Sequence, residues 1–256
     1  MSVAPLHSPA ESGKDNFQFS TFNFQFLLDL HVHSWFSGDA SASPEMLVSH
    51  ARERGLHGIA ITDHGTCGAY EHCLAHGLAT RDGRPVDGFL IVPGVEIYAR
   101  EGHVLCIGAL LEDRWNDKPL AEIVRETTKR GSVAIPAHPF DRWRAGVGEK
   151  GLDSVPELAA IETFNPASSR GANAKARRYA RERGLAAIAG SDAHHASAVG
   201  VCWTEFDLDE LSVSAIVAAI TRGAGTPHEA YLSKREALKK HFANWFRKPR
   251  GRRKKK

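Results

Sequence analysis

The sequence predicts an α/β protein built as a distorted (β/α)7 barrel of the TIM-barrel kind. Three observations lead there: short β-rich runs alternate with helical ones from about residue 26 to 222, chemically active side chains gather at the ends of those runs, and the length suits one large core. A chain of 256 residues that is 42% hydrophobic can bury such a core.

The first strand is FLLDLHVH (26–33). Ser43, Pro44 and Glu45 then read as N-cap, N1 and N2 of a helix that Gly55 closes. HGIAITDH (57–64) is the second strand, GFLIVPGVEIYA (88–99) the third and GHVLCIGALL (102–111) the fourth, paired with the third through the turn at Glu101 and Gly102. A helix over about 118–130 stops at Gly131 and leads into SVAIPAHP (132–139). AAIETFN (159–165) is the sixth strand. A basic helix over about 172–183, closed by Gly184, precedes LAAIAGSDAH (185–194), and VCWTEF (201–206) with a helix over 212–222 completes the core. This divides the chain into a flexible segment over 1–24, a catalytic domain over 25–230, and a C-terminal helix with a basic tail over 231–256.

No stretch approaches a membrane span, and the first residues lack the basic-then-apolar order of a signal peptide, so a cytoplasmic protein without membrane contact is expected. Cys67, Cys73, Cys106 and Cys202 show no CxxC spacing and read as reduced, mostly buried residues. The net charge of +3 hides an asymmetry: eight of the 33 Lys and Arg lie in the last ten residues, RKPRGRRKKK. That tail is either a solubilising segment or an arm for RNA or DNA. No GxGxxG, GxxxxGK[ST] or GxSxG motif is present, which argues against Rossmann, P-loop and serine-hydrolase chemistry.

The 14 histidines carry the main signal. His31 and His33 stand two apart on a strand, a spacing that points both rings to one face. Asp63 and His64 end the second strand, Glu96 the third and His138 the fifth, while Asp192 and His194 repeat the two-residue spacing after the seventh. All lie at C-terminal strand ends, where α/β barrels place their active sites. His103 starts its strand instead, which an antiparallel partner returning from the same rim requires. A cluster of imidazoles and carboxylates without thiolate suits Mn, Fe or Zn.

In this order DLHVHSWFSGDA, GIAITDH, PGVE, GH, AHPF and GSDAH resemble the PHP (polymerase and histidinol phosphatase) family, more closely its stand-alone phosphoesterases, over about residues 27–206. The resemblance implies a distorted seven-stranded barrel and two to three divalent ions. It makes His31, His33, Glu96 and Asp192 ligands of one ion, bridges Glu96 to a second ion held by His103 and His138, and gives Asp39, His64 and His194 to a third. Asp63 then orients a ligand or loop beside the catalytic groups. His194 or His195 is the candidate proton donor to the leaving group, and Arg144 and Arg170 are candidate phosphate contacts, Arg170 being the favoured one. The expected activity is hydrolysis of a phosphate ester of a small metabolite, nucleotide or short oligonucleotide through a metal-activated hydroxide. The alternatives are a nucleic-acid-binding exonuclease and a histidinol-phosphate phosphatase.

Overall fold

The computed structural model describes residues 24–231; the expected N-terminal segment, C-terminal helix and basic tail lie outside the described residues. Nine strands and six helices follow one another: β1 (Phe24–Val32), α1 (Pro44–Glu53), β2 (Gly58–Ile61), α2 (Gly68–Ala75), β3 (Leu90–Tyr98), β4 (His103–Ile107), α3 (Leu120–Lys129), β5 (Val133–Pro136), α4 (Gly148–Asp153), β6 (Ala160–Phe164), α5 (Arg170–Arg183), β7 (Ala186–Ala189), β8 (Trp203–Leu208), α6 (Val213–Thr221) and β9 (Gly225–His228). Seven strands form one curled sheet in the order β5-β4-β3-β2-β1-β8-β9, and β6 pairs with β7 in a second, two-stranded sheet. The second sheet spans the opening between the two edges of the first, with β6 against β5 and β7 against β9. The result is the expected α/β barrel architecture in distorted form: β1, β2 and β3 run parallel, whereas β4 is antiparallel to both β3 and β5.

Three elements escaped the sequence reading. Helix α2 begins with Gly68 and has no side-chain cap, α4 is six residues long with two glycines, and β9 contains Pro227, which the edge of a sheet tolerates and its centre does not. Two expected caps hold: Ser43 accepts from Met46 N with Pro44 at N1, and Gly184 closes α5 in the left-handed conformation at φ 65°, whereas α5 begins at Arg170, ahead of the expected 172, because Ser169 accepts from Ala172 N.

The interior of the barrel is apolar at its lower end. Leu28, Leu30, Leu90, Val92, Leu105, Ile107, Ile135, Ile188 and Phe206 meet there, and α6 closes that end with Ile216, Val217 and Ile220. Two further apolar layers lie outside the sheet, one under α1 and α2, the other under α3 and α5. No helix among the described residues is long and apolar enough to cross a membrane. All four cysteines are free, three of them buried.

Strand alternation carries the inward face upward to the polar mouth. Glu96 continues the parity of Leu90 and Val92, and His103 that of Leu105 and Ile107. His31 breaks the parity of Leu28 and Leu30, and a bulge makes this possible: β1 advances from Asp29 to Val32 while β2 advances only from Ile59 to Ile61. One extra residue on β1 turns the histidines back toward the mouth. His138 and Asp192 leave their strands through positive φ, 32° and 51°.

The approach of β7 to β1 is closest at Gly190, where a Cβ would lie 2.4 Å from His31 Cβ and 2.9 Å from Glu162 Oε1. Neither atom belongs to a mobile side-chain end, since both residues are buried. Gly190→Ala is therefore expected to destabilise the fold by about 1–3 kcal/mol, the usual cost of overpacking. Urea denaturation measures it, and wild-type stability would contradict this packing.

Candidate metal centre

At the mouth, ligand-type atoms converge in four overlapping groups: His31, His33 and Glu96; Glu96, His103 and His138; His31, His138 and Asp192; and His33, Asp39, His64 and His194. Within each group the donor atoms lie within 4.8 Å of one another. Glu96 faces two ways. Its Oε2 is 3.5 Å from His31 Nε2 and 3.3 Å from His33 Nε2, while its Oε1 is 2.9 Å from His103 Nδ1 and 3.4 Å from His138 Nε2. Asp192 Oδ1 stands 3.7 and 3.5 Å from the same two nitrogens of His31 and His33. Asp39 Oδ2 lies 3.3 Å from both His64 Nε2 and His194 Nε2.

All nine residues read from the sequence as ligands are thus brought together. The grouping differs in two respects: His33 also stands with Asp39, His64 and His194, and Asp192 also stands with His138.

The donor set fits divalent ions. With metal–nitrogen and metal–oxygen bonds of about 2.0–2.2 Å, neighbouring ligands of one tetrahedral or octahedral ion stand roughly 3.0–3.5 Å apart, close to the spacings found here. Glu96 Oε1 and the Nδ1 atoms of His64 and His103, which face the Glu96 carboxylate, are buried yet make no hydrogen bond among the described residues. Donor atoms that face one another without bonding are what a shared cation would satisfy.

Protonation tells the same story. Burial opposes the charging of His31, but Asp192, Glu162 and Glu96 outweigh it and raise its pKa well above the ordinary value. Burial likewise opposes protonation of His64, and Asp39 and Glu96 push it up to about 10. His33, with less compensation, is lowered by burial to about 4. Burial opposes ionisation of Glu96 and Asp192 too, yet His31 and its neighbours hold both carboxyls well below the usual range, with Arg144 helping at Asp192. Without a metal, the carboxylates draw protons onto His31 and His64.

A supporting layer fixes these groups. Asp63 is committed to Ser34, accepting from its N and Oγ at 2.6 Å each, and belongs to none of the four groups, so it shapes the loop after β1. Its carboxyl is pushed up to about 6 by burial. Ser37 Oγ meets His33 Nδ1 at 3.1 Å and receives the His64 N–H at 3.0 Å. Asp29 accepts from Ser191 N and Gly200 N at 2.9 and 2.8 Å, tying the loop after β7 to β1. His195 also stands outside the four groups and meets Ser41 Oγ at 2.9 Å.

The sequence reading missed Glu162. This carboxylate is 1% exposed, holds two of the grouped residues directly and connects to a third through Asn165. Its Oε1 receives His31 Nδ1 at 2.9 Å, its Oε2 accepts from His138 N at 2.7 Å and from Asn165 Nδ2 at 3.1 Å, and Asn165 Nδ2 reaches Asp192 Oδ2 at 3.1 Å. Its only sequence signal was a charge inside the apolar run AAIETFN. Of the two arginines, Arg144 donates to Asp192 Oδ2. Arg170 lays its guanidinium over the Tyr231 ring, 4.4 Å from the centroid.

Comparison with known proteins places this architecture. The PHP-associated family model matches residues 170–224. An uncharacterized protein of Methanocaldococcus jannaschii is 28% identical over 148 residues, 54% of this chain and 80% of that protein. A two-domain Bacteroides vulgatus protein described as containing a predicted PHP-like metal-dependent phosphoesterase superposes with a TM-score of 0.67 at 19% identity, covering 93% of this chain and 74% of that one. The lesion-specific endonuclease Q of Pyrococcus furiosus superposes with a TM-score of 0.64 at 19% identity, covering 89% and 68%. Endonuclease Q complexed with a 27-mer duplex carrying an abasic lesion at the active site gives 0.60 at 20% identity, covering 80% and 58%. The fold is that of the PHP-like metal-dependent phosphoesterases. The PHP-associated match over residues 170–224 and this shared fold are what the chain has in common with PHP-like proteins.

Glu162→Gln tests the supporting layer. The amide cannot accept from both His31 Nδ1–H and the donors at His138 N and Asn165, so it loses either the bond that fixes the His31 tautomer or the one that fixes the His138 backbone. Mn²⁺ or Zn²⁺ affinity, read by titration, is expected to fall by about 10- to 100-fold in a folded protein. Unchanged affinity would show that Glu162 does not govern the ligands.

Proposed function

We propose that this protein is a metal-dependent phosphoesterase hydrolysing phosphate esters of a small metabolite, nucleotide or short oligonucleotide. The observation that carries the reading is Glu96: one buried carboxylate with its two oxygens directed at two different pairs of histidines. Such a carboxylate is placed to bridge two ions, one toward His31 and His33 with Asp192, the other toward His103 and His138. A third position is formed by Asp39, His64 and His194, with His33 at its inner side. The donor set suits Mn, Fe or Zn.

Bound there, divalent ions would polarise the phosphoryl group and lower the pKa of a water toward neutrality. The chain supplies the rest. Arg144, at the edge of the centre, neutralises phosphate charge that Asp192 holds it ready for. His194, engaged with Asp39 and with Asp192 O, or His195, engaged with Ser41 Oγ, is the proton donor to the leaving oxygen. No nucleophilic side chain is required.

Glu96→Gln keeps the side chain's size and removes the negative charge that offsets repulsion between two dications. Metal content and kcat on a phosphomonoester, measured with Mn²⁺ present, are both expected to drop, kcat by at least about two orders of magnitude. A folded Glu96→Gln protein with wild-type metal content and turnover would remove the bridging role. Absence of phosphate release by the wild-type protein across a panel of phosphorylated metabolites and nucleotides would remove the activity.

A further inference from the structure

Asp192 presents one oxygen to the histidines and gives the other to the protein. Its Oδ1 faces His31 and His33, while its Oδ2 accepts from Arg144 and from Asn165 Nδ2. Asn165 is fully buried just past the end of β6, and its amide hydrogens go to two carboxylates, Glu162 Oε2 and Asp192 Oδ2, each at 3.1 Å. A neutral donor shared between two ionised carboxylates satisfies both and ties one to the other. The direction of the Asn165 side chain therefore decides how Asp192 Oδ1 meets the histidines.

The sheet does not hold Asn165, because the pairing of β6 with β7 ends at Phe164 and Ala189. A side chain takes over. Asn173, 3% exposed in the first turn of α5, accepts from Asn165 N at 3.3 Å and donates to Asn165 O at 2.9 Å. Its carboxamide thus offers Asn165 the donor and acceptor of a neighbouring strand. Asn173 Nδ2 also donates to Tyr231 Oη at 3.2 Å. Reversed, the amide would set oxygen against oxygen at Asn165 O, so its orientation is fixed.

Tyr231 lies beyond β9 and is anchored independently of these amides. Its ring meets that of Phe164 edge-on at 5.0 Å, and Arg170 covers it at 4.4 Å. Two residues earlier, Glu229 accepts from Arg177 at 2.8 and 2.7 Å. The segment leaving β9 is in this way fastened to α5, with the tyrosine hydroxyl at the far end of a hydrogen-bonded path to Asp192.

We infer that Tyr231 is a positioning residue of the metal centre, acting through Asn173 and Asn165 on Asp192. Tyr231 belongs to none of the four ligand groups and needs no contact with an ion. This rests on the metal reading of the cluster, with Asp192 as a ligand. It makes the segment leaving β9 part of the support of the site.

The test is a double-mutant cycle. Tyr231→Phe removes the hydroxyl and keeps the ring against Phe164 and Arg170, while Asn165→Ala removes the amide that reaches Asp192. Mn²⁺ and Zn²⁺ affinities of the wild type, the two single variants and the double variant are read by calorimetry, and urea denaturation confirms that each is folded. Asn165→Ala is expected to weaken binding by about 10- to 100-fold, as loss of a group that orients a ligand does. Tyr231→Phe should weaken it by about threefold, the order of one neutral hydrogen bond. In the Asn165→Ala background Tyr231→Phe should change affinity by less than about 1.5-fold, since its path to Asp192 is already cut. Wild-type affinity in Tyr231→Phe, or losses that multiply in the double variant as they would for a tyrosine that merely stabilises the fold, would overturn the inference. A wild-type protein that binds neither metal would remove the metal reading and the inference together, an outcome distinct from unaltered variants of a protein that binds them.

Discussion

Five carboxylates, those of Asp29, Asp63, Glu96, Glu162 and Asp192, lie no more than 1% exposed around the mouth of one barrel. Isolated ionised carboxylates in such surroundings are expensive, and each needs donors or a cation. Asp29, Asp63 and Glu162 find backbone and side-chain donors within the protein. Glu96 and Asp192 are faced instead mainly by imidazoles, with Arg144 and Asn165 added at Asp192. Most of the local structure follows from satisfying these two carboxylates: the bulge in β1, the positive φ at His138 and Asp192, and the glycine that lets β7 approach His31.

The same constraint explains what could be read in advance. Alternation fixes Glu96 and His103 because their strands are regular, so parity from the apolar residues below predicts where they point. The i, i+2 pairs of histidine and aspartate stood out for the same reason. Parity fails at His31 and His138, where an extra residue and a left-handed backbone do the aiming, and neither has a reliable sequence signature. Glu162 shows the other limit. It touches no proposed ion, and a single charge inside a strand does not say which distant side chain it will hold.

The elements missed tell a related story. Helix α2 and strand β9 carry little propensity of their own and form because the sheet and the outer apolar layer receive them. Neither supplies a residue to the four groups, so the candidate site was more legible than the fold around it. Arg170 opens α5 and lays its guanidinium over the ring of Tyr231, remote in sequence, a contact that nothing local announces, while Arg144 reaches Asp192 at the mouth.

The central claim is that Glu96 joins two cation positions in one cluster. Anomalous diffraction from crystals of the purified protein, collected at the edges of Mn, Fe and Zn after elemental analysis, locates any ions directly. Two or three peaks inside the cluster are expected, one against His31, His33 and Glu96 and another against Glu96, His103 and His138. Protein that holds no metal as purified and shows no peak at Glu96 after soaking in Mn²⁺ or Zn²⁺ would contradict it.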